Sequence, residues 1–207
     1  LATAVIICSG ASHRMLGLPD EKKYVGRGIS YCALCDGNFF KNQDVAVVGG
    51  GNSALEESLY LAKIVRKVHL IHRRDAFRGD KVYQDKALAL KDKIHPMLNT
   101  VVVSLHGGDK LEALSLRNVC TQEESELKVD GLFVFVGVEA QGQFLPAGLA
   151  RDEQGFILTD TEMRTNLPGI YAAGDIRSKL CRQVATAVGD GATAAHAASI
   201  YLEHFHA

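Results

Sequence analysis

The apolar positions of the chain follow two periods, and the two meet most clearly between residues 44 and 78. Residues 45–48 form an apolar run of strand length, and apolar residues then recur at helical spacing from Leu55 to Val65. A second apolar run at residues 68–71 closes the segment. This order predicts a strand, a helix and a second strand, which is the repeating unit of a parallel α/β sheet.

The same periodicities predict elements along the rest of the chain, and together they indicate an α/β fold. We expect strands at residues 4–8, 101–105, 111–119, 126–129, 132–137 and 170–175. We expect helices over residues 80–93 and 183–203; His95–Pro96 should stop the first, and Gly189 and Gly191 should break or loosen the second. Residues 12–30 are rich in glycine and are interpreted as a connector.

A glycine-rich turn joins the strand at residues 45–48 to the helix that follows it. Gly49, Gly51 and Ala54 fit the pattern G-x-G-x-x-A. In a dinucleotide site the first glycine permits the tight turn, the second lets a pyrophosphate approach the backbone, and the alanine lets the helix pack on the strand. The motif therefore predicts a dinucleotide site, with a glycine-rich turn that binds nothing as the alternative.

The first residues of this helix, Asn52 and Ser53, belong to the same predicted site. A helix start offers free N–H groups and the positive end of the helix dipole to a phosphate. Ser53 and Glu56 also have the spacing of a capping box, in which each side chain bonds a free main-chain N–H group.

Basic residues follow the second strand, where an NAD site usually carries a carboxylate about 20 residues after the glycines. Here the strand ends in His72, Arg73 and Arg74, with Arg78 close behind. A carboxylate would repel a 2′-phosphate, whereas guanidinium groups bind it in a bidentate manner. The site is therefore interpreted as one for NADPH rather than NADH, with a solvated basic cluster as the alternative.

Composition excludes several classes of function. The chain has 207 residues, 47% of them apolar, and a net charge of −1, so we expect a proper core and no nucleic-acid partner. We expect no membrane association because no apolar run approaches the roughly 18 residues of a membrane span. No segment resembles a signal peptide, and we expect a cytoplasmic protein. Because the sequence starts with Leu1 and almost directly in a strand, we also expect residues upstream.

Five cysteines are present, and only Cys32 and Cys35 form a close pair, in a C-x-x-C motif. If the pair begins a helix, the helix dipole lowers the thiolate pKa, which makes a disulfide easy to reduce and to re-form. Asp36 follows directly and is expected to shuttle a proton. Half of a zinc site and an inert thiol pair are the alternatives; zinc would need two further ligands, and the sequence has no second C-x-x-C or H-x-x-x-H. Cys8 and Cys120 are expected to be buried thiols.

A nicotinamide donor and a disulfide do not react well directly. The nicotinamide gives two electrons as a hydride, and a disulfide does not readily accept a hydride. A flavin between the two would resolve the mismatch, so the sequence should also carry flavin-binding elements.

Four segments together carry a family resemblance: CALCDG, GGGNSALEES, HLIHRRDAFR and YAAGDI followed by RQVATAVGDGATAA. In this order they resemble bacterial-type, low-molecular-weight thioredoxin reductase through essentially the whole chain. The resemblance implies a Rossmann-like NADPH domain inserted into an FAD domain, here a partial one without the family's N-terminal FAD segment. Residues 12–131 would be the NADPH domain, and residues 1–11 and 132–207 would be pieces of the FAD domain. It also implies a homodimer that reduces thioredoxin.

The resemblance further implies roles for individual residues. Cys35 would face the flavin, Cys32 would exchange with thioredoxin's disulfide, and Asp36 would act as acid and base. The residues that would bind cofactors are Arg73, Arg74 and Arg78 for the 2′-phosphate of NADPH, and Gly10, Gly174, Asp175, Arg182, Gln183 and Val184 for FAD. Two alternatives stay open: a related flavin reductase with another protein or dithiol partner, and a truncated fragment that binds NADPH without turnover.

Overall fold

The computed structural model describes residues 2–205. The chain divides into two units: one combines the residues up to Ser12 with those from Val138 onward, and the other is His13–Gly137. The second unit is thus inserted in the sequence of the first, and the predicted fold class, α/β with one domain inserted in another, is confirmed. The unit boundaries fall after residues 12 and 137, where the sequence suggested 11 and 131.

The helices and strands are β1 (Val5–Ile7), β2 (Ala11–His13), α1 (Glu21–Tyr24), β3 (Ile29–Ser30), α2 (Ala33–Asp36), β4 (Asp44–Gly49), α3 (Asn52–Leu61), β5 (Lys67–Ile71), α4 (Lys81–Ala89), β6 (Ile94–Met97), β7 (Thr100–His106), β8 (Ala113–Asn118), β9 (Glu124–Lys128), β10 (Gly131–Phe135), β11 (Val138–Ala140), β12 (Ile170–Ala172) and α5 (Val184–Phe205). Short 3-10 helices span Gly37–Phe40 and Gly174–Ile176.

The inserted unit is built on a parallel five-stranded sheet in the order β3-β10-β4-β5-β6. The strand β10 is why the second boundary falls later than predicted, because it pairs with β4 inside this sheet. Both faces of the sheet are covered, as in parallel sheets generally. Val45 and Val47 of β4 pack with α3 and α4 on one face, while Ala46 packs on the other.

A three-stranded antiparallel sheet, in the order β7-β8-β9, covers that other face. Leu114 and Leu116 of β8 are fully buried in one cluster with Ala46, Ile71 and Leu132 of the parallel sheet. The unit therefore has three layers, and its glycine turn lies at the carboxyl end of β4, where ligands bind in open α/β sheets.

The other unit is smaller and pairs β1 with β12 in parallel. Its long helix α5 packs alanines against the strand: Ala194 and Ala197 lie in one buried cluster with Tyr171 and Ala173. A second cluster joins Ile7 to residues such as Ile157 and Ile176.

Two of the predicted helix limits are wrong, for different reasons. His95–Pro96 does not stop the helix, because α4 has already ended at Ala89 and both residues lie in β6. That strand is at the sheet edge, where proline's missing N–H is tolerated. The expected break in the last helix is absent, since α5 runs continuously through Gly189 and Gly191.

Several smaller expectations also change. The predicted connector contains α1 and the edge strand β3. Cys8 and Cys120 are exposed rather than buried; Cys120 lies in the turn after β8, where its N–H donates to Asn118 Oδ1 over 2.9 Å. Within the described residues, no helix is both long and apolar enough to span a membrane.

Candidate functional site

The C-x-x-C motif stands at the start of a helix, as predicted. Cys32 is the N-cap of α2, and its Sγ accepts a hydrogen bond from the Cys35 N–H over 3.1 Å. The two cysteines form a disulfide, with 5.3 Å between their Cα atoms. Cys35 is exposed and Cys32 is half-buried. The pair is therefore oxidised and open to solvent on the side of Cys35.

A serine connects this pair to the adjacent carboxylate. Ser30 is buried in β3, and its hydroxyl donates to Asp36 Oδ2 over 2.7 Å. The same hydroxyl accepts the Cys32 N–H over 3.1 Å. Ser30, on a strand of the parallel sheet, thus bonds both ends of α2, the helix that begins at the disulfide.

The segment that leads into the motif is held by a buried glutamate. Glu21 accepts the main-chain N–H groups of Leu16, Gly17 and Leu18 at 2.9 to 3.2 Å, and the Tyr31 hydroxyl donates to it over 3.3 Å. Burial, followed by the Glu21 charge, raises the pKa of Tyr31 to about 12, so this hydroxyl keeps its proton. Tyr31 immediately precedes Cys32, so the loop and the disulfide are anchored together.

The glycine turn has the shape that its sequence predicts. A Cβ at Gly49 would lie 2.6 Å from both Ala54 Cβ and the Phe135 carbonyl oxygen, so only glycine fits where the strand turns into α3. A Cβ at Gly51 would meet nothing within 4 Å. Open space therefore faces the turn on the side where a pyrophosphate would approach.

The start of α3 differs from the predicted capping box. Gly51 is the N-cap, no side chain caps the helix, and Ser53 lies inside the first turn. The capping prediction is wrong because the helix begins one residue before Ser53; within residues 2–205 the first N–H groups have no side-chain partner. Asn52 instead binds Asp80: its Oδ1 accepts the Asp80 N–H over 2.6 Å, and its Nδ2 donates to Asp80 Oδ2 over 3.0 Å.

The basic residues lie beside this turn. Arg73, Arg74 and Arg78 are exposed, and within residues 2–205 none of them forms an ion pair with a carboxylate. The Arg78 N–H donates to the Gly50 carbonyl over 2.6 Å. The main chain thereby brings Arg78 to the glycine turn and leaves its guanidinium group available.

His72, from the same basic segment, is buried against the turn. A Cβ at Gly50 would overlap its ring, at 2.2 Å from Cε1. Burial lowers the pKa of His72, and the charges of Arg78, Arg74 and Arg73 lower it further, so the ring is neutral near pH 7. Its Nε2 is buried with no hydrogen-bond partner among the described residues.

The residues expected to bind flavin lie in the other unit. Gly10 and Gly174 have φ angles of 73° and 78°, and both line a cavity with Asp175 and Cys8. Asp175 Oδ1 is buried without a hydrogen-bond partner in the described chain, 3.6 Å from Lys179 Nζ. These four residues come together around one concave surface.

The last three residues of the expected flavin site precede or begin α5. Arg182 donates to the carbonyl oxygens of Asp175 and Arg177 over 3.3 and 3.2 Å and stacks on Phe156, 3.9 Å from the ring centroid. Gln183 and Val184 are exposed. The Arg182 guanidinium is therefore committed to its own unit, and its role toward a flavin stays a prediction.

Two residues of the candidate sites were not found from the sequence: Ser30 and Asp190. Each is defined by contacts that depend on packing. Ser30 stands two residues before the C-x-x-C motif and Asp190 lies within the segment RQVATAVGDGATAA, but neither position indicates the contacts that the residue makes. Within residues 2–205, no three His, Cys, Asp or Glu residues are grouped to hold a metal ion.

Comparison with known proteins gives one family and consistent relatives. Residues 1–191 match the family described as pyridine nucleotide-disulphide oxidoreductase. The chain is 48% identical to a thioredoxin reductase of Listeria innocua, over 98% of this chain and 63% of that protein. It is 45% identical to a thioredoxin reductase of Treponema pallidum, over 98% of this chain and 65% of that protein. The resemblance indicated by the four motifs is confirmed.

A solved structure agrees with these relatives. The crystal structure of thioredoxin reductase from Streptococcus pyogenes has a TM-score of 0.91 and 44% identity, covering 97% of this chain and 66% of that one. The chain thus spans less than two thirds of the length of each of these three relatives. Since the family match also extends over most of its residues, the chain belongs to the pyridine nucleotide-disulphide oxidoreductase family.

Proposed function

We propose that this chain is the main part of an NADPH-dependent thioredoxin-disulfide reductase. Electrons would pass from NADPH through FAD to the Cys32–Cys35 disulfide and then to the disulfide of thioredoxin. The observation that carries the proposal is the disulfide at the start of α2, in the same unit as a glycine turn flanked by free arginines. The relatives that match the chain are thioredoxin reductases, and this supports the same activity. The homodimer is proposed from the family resemblance alone.

The residues around the glycine turn fit NADPH. Open space at Gly51 accommodates a pyrophosphate, and the first N–H groups of α3 lack side-chain partners. Arg73, Arg74 and Arg78 would hold the 2′-phosphate, because guanidinium groups bind it with charge-assisted hydrogen bonds. Neutral His72 would complete the wall of the site.

The cavity of the other unit fits part of a flavin. Asp175 Oδ1, which is buried there with no hydrogen-bond partner among the described residues, suits a hydroxyl group of a polar ligand. Gly10 and Gly174 leave the backbone open to close approach. When bound, FAD supplies the two-electron step that links a hydride donor to a disulfide.

The disulfide takes two electrons and two protons and becomes two thiols. One thiolate then attacks the partner's disulfide and forms a mixed disulfide, which the second thiolate breaks as the Cys32–Cys35 bond re-forms. Asp36, whose carboxylate accepts a hydrogen bond from Ser30, would carry the proton that the attacking thiol loses. An attacking sulfur must be accessible to the partner's disulfide. By the resemblance, Cys32 would make this attack, and Cys35, the more exposed residue of the two, would face the flavin.

Thioredoxin-dependent oxidation of NADPH tests the proposal. The flavin-loaded protein should consume NADPH only when oxidised thioredoxin is present, and Cys32→Ser and Cys35→Ser should each abolish turnover. Cys120→Ser is the matched control, because Cys120 is an exposed free thiol in the same unit. Full turnover by either single variant of the pair would reject the mechanism.

A narrower function is proposed for these 207 residues taken alone, because they span less than two thirds of the length of the two relatives named above. It would bind NADPH but bind FAD weakly, since only one side of the flavin site is present in these residues. The visible spectrum of the purified chain, verified by mass, measures this directly. Stoichiometric flavin in that chain would contradict the narrower function.

A further inference from the structure

A second segment of the inserted unit is hydrogen-bonded to the glycine turn from outside the G-x-G-x-x-A motif. The N–H groups of Arg78 and Gly79 both donate to the Gly50 carbonyl, over 2.6 and 3.0 Å. The Asp80 N–H donates to Asn52 Oδ1 over 2.6 Å, and Asn52 Nδ2 donates to Asp80 Oδ2 over 3.0 Å. Three consecutive main-chain donors and one carboxylate thus bind the turn, and we call the three residues that carry them the clamp segment.

The clamp segment approaches the turn so closely that its middle residue has no room for a side chain. A Cβ at Gly79 would lie 2.5 Å from Leu55 Cδ1 and 2.9 Å from Asn52 Oδ1. The Gly51 carbonyl carbon would be 3.0 Å away. Gly79 is buried, although the residues on both sides of it are exposed. The clamp segment therefore lies directly against the start of α3.

The carboxylate of Asp80 does not serve its own helix. Asp80 is the N-cap of α4, where an aspartate usually accepts one of the free N–H groups of the helix. Here its side chain makes no such bond, and the carboxylate accepts the Asn52 amide instead. The Asn52 amide in turn uses both its oxygen and its nitrogen on Asp80. The pair therefore joins the start of α3 to the start of α4, and the capping of either helix does not explain it.

Arg78 is the residue whose position depends on this pair. Its main chain is bonded to Gly50, and its exposed guanidinium forms no ion pair with a carboxylate within residues 2–205. An arginine loses conformational entropy when it orders around an anion, and it loses less when the main chain that carries it is already fixed. A clamp that is closed before the nucleotide arrives therefore increases the affinity for the group that Arg78 binds.

We propose that Asp80 is a positioning residue that determines the preference of the site for NADPH over NADH: through Asn52 it holds the clamp segment on the glycine turn and so places Arg78 for the 2′-phosphate. Asn52, which the sequence predicts as a cofactor-binding residue, then acts through Asp80 rather than on the nucleotide. The inference rests on the proposed function, because the turn is taken to bind NADPH. It assigns a favourable role to a carboxylate that by its charge alone would repel a phosphate.

Hydrogen exchange tests the clamp in the free protein. We would compare wild type with Asp80→Ala, Asp80→Asn and the matched control Asp85→Ala, which removes an exposed carboxylate from the same helix. The two Asp80 variants lose the same charge, but only the asparagine keeps a side-chain oxygen that accepts the Asn52 amide. The Arg78 and Gly79 N–H groups should exchange about five- to tenfold faster in Asp80→Ala and at wild-type rates in the other two variants.

Calorimetry with NADPH and with NADH tests the effect on cofactor preference. Asp80→Ala should weaken NADPH binding by about five- to tenfold and NADH binding by less than about twofold, whereas Asp80→Asn should not lower the preference. The loss of charge alone predicts the opposite for Asp80→Ala, because removing a negative group favours a nearby anion. In an Arg78→Ala background, Asp80→Ala should change NADPH affinity by less than about twofold, because the two residues act as one unit.

The possible results separate this inference from the proposed function. Wild-type exchange in Asp80→Ala, or faster exchange with an unchanged preference for NADPH, rejects the inference. Equal losses in Asp80→Ala and Asp80→Asn also reject it, because they would show an effect of charge rather than of the hydrogen bond. If the inference alone is wrong, wild type still prefers NADPH. Wild-type protein that binds NADPH no better than NADH rejects the proposed cofactor preference, and this inference with it.

Discussion

Asp190 provides the sharpest test of how the unit that contains α5 is held together. It lies between the two glycines of α5 and is almost fully buried. Its Oδ1 is 2.8 Å from Arg177 Nη1, its Oδ2 is 3.0 Å from Lys179 Nζ, and the Gly174 N–H donates to Oδ2 over 3.1 Å. Each helical glycine costs about 1 kcal/mol relative to alanine. We infer that this network keeps α5 continuous there and holds the Gly174 loop.

Asp190→Asn should therefore be strongly destabilising. It leaves Arg177, whose side chain is only 11% exposed, without its carboxylate, and it leaves the equally buried Lys179 with only Asp175 at 3.6 Å; breaking such a buried pair costs about 3–5 kcal/mol. Hydrogen exchange of peptides from α5, followed in urea, measures the effect within this unit. Glu153→Gln removes an exposed carboxylate from the same unit and should change stability by less than about 0.5 kcal/mol.

The acid dependence of stability gives the same network an independent readout. Burial raises the pKa of Asp190, but the hydrogen bonds from Lys179 and Arg177 outweigh burial, so its pKa in the folded protein is below the ordinary value. Such a group contributes its full stability above the unfolded-state pKa of about 3.9 and loses it as pH falls toward the folded-state pKa. Wild type should lose this contribution on acidification below about pH 4, and Asp190→Asn should lack it. A loss below about 1 kcal/mol for Asp190→Asn, or an unchanged acid dependence, would refute the reasoning.

Three further predictions concern the inserted unit. Changing Arg73 and Arg74 together to alanine should weaken NADPH binding by about tenfold or more per lost charge-assisted contact, and calorimetry should show NADH nearly unaffected; equal losses would contradict the 2′-phosphate assignment. Gly49→Ala should cost about 2–4 kcal/mol in urea unfolding because its Cβ meets backbone at 2.6 Å, and a wild-type midpoint would contradict the close approach. Ser30→Ala should slow exchange with a small disulfide about tenfold, with Ser30→Thr closer to wild type, and should add little to Asp36→Asn; additive losses would show that Ser30 acts elsewhere.

The parts of the site that could be predicted from the sequence are those whose geometry is determined mainly within one short segment. Gly49 and Gly51 form the turn together with Ala54 of the same motif, so the turn could be predicted from its pattern, although Phe135 of β10 also lies against Gly49. The Cys32–Cys35 pair likewise closes within one helical turn. In both cases neighbours in the sequence are also neighbours in space.

The failures occur where distant segments meet. The dipeptide His95–Pro96 predicts the end of a helix. In the fold both residues lie in β6, an edge strand of the sheet, where a proline is tolerated. The prediction that the last helix breaks at its glycines was wrong because it could not include the ion pairs of Asp190 with Arg177 and Lys179. These pairs form only when the chain is folded.

The most direct test of the central claim is to identify the cysteine that bonds to thioredoxin. Thioredoxin without its second active-site cysteine would be mixed with reduced Cys32→Ser and Cys35→Ser proteins, and the trapped disulfide would be mapped by peptide mass spectrometry. We expect a mixed disulfide at Cys32 in the Cys35→Ser protein, as the family resemblance implies. A bond at Cys35 in the Cys32→Ser protein alone would reverse the division of labour. Bonds only at Cys8, Cys120 or Cys181, or none, would contradict the claim that this disulfide delivers electrons to thioredoxin.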